Sequence, residues 1–153
     1  MKAEIIQQPF AVKLVGFSER VTNGRYGEIG LRLMDSMWKE IGDRELPSKG
    51  MNHWVYLPDG VMFTGVELKQ DTSDIGLLKR LSIQMTRYVR HVHVGPYSNL
   101  PATWTALKER IVKLGETISS PGLEIYGHWC QDESKLETTI LISLEPGKIE
   151  HLS

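Results

Sequence analysis

Residues 88–111 read YVRHVHVGPYSNLPATWTALKERI, and how this stretch divides decides the fold. Tyr88 to Val94 closes a long β-prone run that begins at Leu81. Gly95-Pro96 breaks that run. Ser98 or Asn99 then serves as a helix cap, and Pro101 suits a first turn, where a missing backbone N–H costs nothing. Leu100, Trp104, Leu107, Ile111 and Leu114 recur every three or four residues, which places them in one stripe along a helix. Gly115 stops that helix. Two closing strands follow, Leu123 to Cys130 and Glu137 to Leu144, joined by the polar loop QDESK.

The first half of the chain follows the same plan. Phe10 to Phe17 (FAVKLVGF) reads as a strand, and Thr22-Asn23-Gly24 as a turn with Asn23 as helix cap. Apolar residues at 26, 29, 33, 37 and 41, with 30, 34 and 38 beside them, predict a helix over Tyr26 to Ile41, ended by Gly42. His53 to Leu57 and Val61 to Lys69 flank Pro58-Asp59-Gly60 and predict a hairpin. Residues 70–79 are polar and loop-like. The order is β-α-β-β, twice. This is an α+β class: one domain over 1–153, with repeat one about 1–75 and repeat two about 76–153. Duplicated β-α-β-β units pair into one antiparallel sheet with two helices on one face and a ligand cleft between the repeats.

Composition narrows the function. The chain has 153 residues with 18 basic and 19 acidic side chains, a formal net charge of -1. Direct nucleic-acid binding needs a clustered positive field, which this balance does not supply. Lys79, Arg80, Arg87 and Arg90 are the one compact basic group and read as a solvated strand edge. The single cysteine, Cys130, allows no intrachain disulfide and fits a reducing cytoplasm. MKAEIIQQPF lacks the apolar core of a signal peptide, and no run is long enough to span a bilayer. The expectation is a soluble cytoplasmic protein with no membrane partner, a monomer or weak dimer.

Catalytic and metal motifs are weak. His91 and His93 share a strand face, as an H-x-H metal pair would, but no third ligand stands at a telling spacing. The pair reads as a strand entering a turn. SMWK (36–39) matches an S-x-x-K pattern but lies inside a predicted helix without its companion motifs. No metal or cofactor is expected.

Strand alternation divides side chains between two faces. Ile140, Ile142 and Leu144 belong under the helices, leaving Glu137, Thr139, Leu141 and Ser143 on the other face. The same reasoning puts Leu123 and Ile125 toward the helices and Glu124, Tyr126 and His128 away. In the hairpin, Val66 and Leu68 read as core, and Phe63, Gly65 and Glu67 as the opposite face, joined by Trp54 and Tyr56. That face carries aromatics with carboxylates, the composition of a pocket for a flat lipophilic cation. An ordinary solvated sheet face has the same composition. Trp104 reads as core that also flanks the cleft. Tyr97 either caps the cleft mouth or staples the start of the helix.

The runs YVRHVHVGPYSNLPATWTALKERI, LEIYGHW and LETTILISLE, with FAVKLVGFSERVTN and VMFTGVELK before them, resemble the GyrI-like effector-binding domain over nearly the whole chain. Its relatives include ligand domains of AraC-type and MerR-type regulators such as Rob and BmrR, and integron cassette proteins. The resemblance implies a cleft between repeats that binds a hydrophobic, cationic or aromatic small molecule. Tyr88, His93, Gly95, Pro96 and Tyr97 match its strand-to-helix motif, and Glu124 and Tyr126 its acidic and aromatic strand positions. Thr139 stands where drug-binding relatives carry a glutamate, and Glu137, two residues earlier on the same face, is the substitute. The ligand-binding set is thus Trp54, Tyr56, Phe63, Glu67, Tyr97, Trp104, Glu124, Tyr126, Glu137 and Thr139. The first apolar segment is already strand one, so the chain reads as a module without a DNA-binding segment of its own. A transcription regulator or gyrase is the implied protein partner. The alternative functions that the resemblance implies are a small hydrolase acting on electrophilic, cyclopropane-type toxins, in which a carboxylate positions water, or a gyrase-inhibitor-like protein.

Overall fold

Alternating apolar residues and the turn signals between them generate eight strands and two long helices. In this computed structural model, which describes residues 2–146, they are β1 (Glu4–Ile6), β2 (Phe10–Arg20), α1 (Tyr26–Asp43), β3 (His53–Tyr56), β4 (Val61–Val66), β5 (Lys79–Met85), β6 (Tyr88–Val94), α2 (Leu100–Lys113), β7 (Ile118–Tyr126) and β8 (Glu137–Leu144). Residues 1 and 147–153, counted within the expected repeats, lie outside the described residues. The strands form one antiparallel sheet in the order β1-β6-β8-β7-β3-β4-β2-β5. The class is α+β, and β-α-β-β occurs twice, as β2-α1-β3-β4 and β6-α2-β7-β8. The two units meet where β3 pairs with β7.

Several boundaries differ from the sequence reading. The run from Leu81 to Val94 is two strands. β5 pairs with β2 near one edge of the sheet, and β6 pairs with β1 and β8 near the other. The basic residues separate accordingly: Lys79 and Arg80 on β5, Arg90 on β6, and Arg87 between them, clasped by the Glu116 carboxylate at 2.5 and 2.7 Å. α1 starts on Arg25 without a side-chain cap, because Asn23 takes the left-handed turn conformation at φ 58°. The helix continues through Gly42 to Asp43. The second hairpin strand stops at Val66, and β7 begins at Ile118 and bulges before Gly122.

α1 packs Met37 and Ile41 on Val15 and Val66, and α2 packs Leu107 and Ile111 on Ile140 and Ile142. Each such side chain contributes about 1.5–3 kcal/mol by leaving water. The opposite sheet face is not free. Val12, Leu14, Val55, Phe63, Ile83, Met85, Tyr88, Leu123 and Leu141 form a core of their own there. Phe10 on β2 meets Tyr88 on β6 edge-on at 6.0 Å, although those strands lie near opposite ends of the sheet. The sheet therefore curls into a half-barrel, and this face is its filled interior.

His53 is buried at 3% exposure beside that core, and its Nδ1–H donates to the Met51 carbonyl at 2.9 Å. Burial pushes its pKa below the usual 6.5, against the weaker opposing pull of the Met51 bond and the Glu67 carboxylate. As pH falls below about 6.5, the unfolded chain takes up this proton before the folded one does, so stability falls. We expect the urea midpoint of wild type to drop between pH 7 and pH 5, and to drop less in His53→Leu. Equal drops in both proteins assign the acid sensitivity to another group.

Candidate functional site: a buried carboxylate in an aromatic cage

Register fixes which side chains meet. Trp54 pairs with Glu124, Glu124 with Ile140, and Tyr126 with Thr138. Paired residues share a face, and Ile140 lies under α2. Trp54, Tyr56, Glu124 and Tyr126 therefore sit on the helix face, the reverse of the expected side for this strand pair. Two glycines admit the large rings. A Cβ on Gly122 would lie 3.1 Å from the Trp104 ring, so the indole of α2 rests directly over β7. A Cβ on Gly30 would lie 2.4–2.8 Å from the Trp54 ring, so α1 rests on that indole.

Glu124 is only 3% exposed. Its Oε1 accepts from the Tyr56 and Tyr126 hydroxyls, each at 2.7 Å, and its Oε2 accepts from Trp104 Nε1 at 2.7 Å. Among the described residues it forms no ion pair. Burial first, then the Glu124 carboxylate, push both tyrosine hydroxyls far above the ordinary value of 10, so they remain protonated donors. The rings interlock edge-on. Tyr26 meets Tyr56 at 5.4 Å and Tyr56 meets Trp104 at 5.5 Å. Trp54 meets Tyr126 at 5.4 Å, and Tyr97 meets Tyr126 at 5.3 Å. Tyr97, at 36% exposure, is the outermost ring of this group, and Lys108 Nζ lies 5.6 Å from the Trp104 ring centroid. The ring faces are electronegative, and the carboxylate is held by neutral donors alone.

Of the ten residues selected from the sequence, Trp54, Tyr56, Tyr97, Trp104, Glu124 and Tyr126 come together. Four do not. Phe63 is part of the half-barrel interior at 3% exposure. Glu67 pairs with Lys49 at 3.2 Å. Glu137 is exposed at the start of β8, its carbonyl accepting from the Gly127 N–H at 2.9 Å. Thr139 pairs with Val92 and Ile125 on the face away from the helices. Sequence reasoning missed Tyr26 and Gly30 as parts of the cage. Both fit the apolar stripe of α1, and nothing local separates a ring that packs on the core from one that packs on a site.

His93 faces α2, with Nδ1 on Thr103 Oγ1 at 2.9 Å and Nε2 3.2 Å from the Pro96 carbonyl oxygen. His91 Nδ1–H donates to the Lys2 carbonyl. The described residues contain no group of three or more His, Cys, Asp or Glu side chains placed to hold a metal ion, and no helix among them is long and apolar enough to cross a membrane.

No protein-family profile and no curated protein matches the chain. Solved structures share its fold. SAV2435, in a structure bound to tetraphenylphosphonium, matches with a TM-score of 0.68 at 18% identity, over 95% of this chain and 94% of that one. The EcmrR C-terminal domain matches with a TM-score of 0.70 at 15% identity, over 94% and 97% of the two chains. In the EcmrR–DNA complex the match spans 57% of the EcmrR chain. An integron cassette protein of Vibrio cholerae matches with a TM-score of 0.51 at 15% identity, over 94% and 95%. These agree with the GyrI-like effector-binding fold that the order of motifs implies.

Proposed function

We propose that the chain is a small-molecule-binding domain of the effector type, taking a lipophilic aromatic cation between α1 and α2. One observation carries this reading: Glu124 is buried without a cationic partner inside a cage of aromatic rings. Glu124 supplies the charge, Tyr56, Trp54, Tyr126 and Trp104 the walls, and Tyr97 the rim. A partner protein, such as a transcription regulator, reads out occupancy. SAV2435, whose structure holds tetraphenylphosphonium, has the same fold, which supports the choice of that cation as first probe.

The hydrolase alternative asks Glu124 to position a water. Three of its four lone-pair sites are already taken by Trp104 and the two tyrosines, and at 3% exposure the carboxylate has little contact with bulk water. The geometry favours binding.

Two of the four tryptophans lie in the cage, so their fluorescence reports directly on it. Titration with tetraphenylphosphonium should quench saturably, and neutral triphenylmethanol should bind at least about tenfold more weakly. Matching affinities for the two would remove the electrostatic half of the proposal.

A further inference from the structure

Three buried side-chain polar atoms among the described residues lack a hydrogen-bond partner: Trp54 Nε1, Thr64 Oγ1 and Thr138 Oγ1. All three lie on or beside the cage. Thr64 pairs across the sheet with Trp54, and Thr138 with Tyr126. A threonine hydroxyl can rotate toward a backbone carbonyl, but an indole N–H only donates and cannot turn without moving the whole ring. Trp54 is 7% exposed and is held on two sides. The Cε3–Cζ3–Cη2 edge of its ring lies over Gly30, so the N–H edge is turned away from α1. Its ring also meets Tyr126, which meets the half-exposed Tyr97, so a line of aromatic contacts joins this indole to the surface. A buried donor left unpaired is costly, and such atoms are rare in folded proteins.

We infer that the ligand of this cage carries a hydrogen-bond acceptor, a carbonyl or ether oxygen or a ring nitrogen, that takes the Trp54 Nε1–H. The inference rests on the reading of the cage as a ligand site. It narrows the ligand class from any lipophilic cation to cations with a neutral acceptor on the aromatic body. Tetraphenylphosphonium has no such group and so satisfies Glu124 and the rings while leaving Trp54 unpaired.

The test compares (acetylphenyl)triphenylphosphonium, substituted at the meta or para position, with its isopropenyl isostere, in which C=CH2 replaces C=O. Wild type should bind at least one acetyl isomer about tenfold more tightly than its isostere. Trp54→Phe should reduce that ratio to less than about twofold, a readout in which the acetyl and isopropenyl cations share whatever the smaller ring costs in wall area. Should the phenylalanine variant not fold, benzothienylalanine at position 54 keeps the ring shape, removes the N–H and is expected to behave in the same way. Equal binding of acetyl and isopropenyl cations by wild type overturns the inference, and is the result expected if a permanent water satisfies the indole. A preference that survives loss of the N–H overturns it too. Failure of all the phosphonium cations, the parent included, would instead overturn the ligand-site reading beneath it.

Discussion

Glu124→Gln should lower affinity for tetraphenylphosphonium by about thirtyfold or more, corresponding to about 2 kcal/mol or more for losing one partner of a desolvated charge pair. Affinity for triphenylmethanol should change by less than about threefold, because the walls are untouched. The variant should melt at the wild-type temperature or above. Wild-type Glu124 is a buried carboxylate held only by neutral donors, and its exchange for a neutral group of equal size relieves the cost of desolvation. The glutamine oxygen can accept from Trp104 while its amide donates to the tyrosine oxygens; the tyrosine protons lose their acceptor, a cost that the relief of desolvation is expected to offset. Function and stability then move in opposite directions, as expected where a site holds an unfavourable group for its ligand. Isothermal calorimetry and thermal melts on the same preparations check both halves. Loss of cation and neutral binding together, with a lowered melting point, would mean that Glu124 is a structural acceptor and no more.

Gly16→Ala should cost more than about 3 kcal/mol, a large share of the stability of a typical domain. A Cβ at Gly16 would stand 1.8 Å from the Thr64 carbonyl oxygen and 2.7 Å from the Gly65 Cα. Both are backbone atoms, so no side chain can swing aside. Gly16 sits where β2 pairs on both sides, with Gly65 of β4 and Lys79 of β5. The missing side chain lets the strands approach closely as the sheet curls. Thr64 in turn pairs with Trp54, so a displaced β4 also disturbs the cage. Urea denaturation measures the cost. A midpoint within about 1 kcal/mol of wild type would show that the two strands are not held so near each other.

The duplicated plan was legible in sequence because it is written locally. Gly95-Pro96, Pro58-Asp59-Gly60 and the two apolar stripes each depend on neighbouring residues alone. The run from Leu81 to Val94 was not divisible in that way. No glycine or proline marks Thr86-Arg87, and only pairing with distant strands shows that the chain crosses there from one edge of the sheet to the other. The site was half legible. Glu124, Tyr126, Trp54 and Tyr56 were grouped on one face and do lie together, but on the opposite side of the sheet from the one expected, and Phe63, grouped with them, lies apart. The physical reason is that both sheet faces are buried: Leu123 points into the half-barrel and Ile140 under α2. Where apolar residues line both faces, alternation separates two sets of side chains without saying which set faces the helices.

The exchange of β1 and β5 bears on how a ligand bound as proposed would get in. β1 precedes the first unit but is stitched to β6 of the second, and β5 follows the first unit's hairpin and is stitched back onto β2. With β3 and β7 joined at the centre, each half is tied to the other at the seam and, through β1, at the far rim. The halves are thus joined along two lines of strand pairing rather than one. For a ligand bound as proposed, we expect access to Glu124 to run through the rings: Tyr97 at the surface, Tyr126 behind it, and Trp104 on its helix. Entry and exit should track aromatic ring motion rather than slow domain opening.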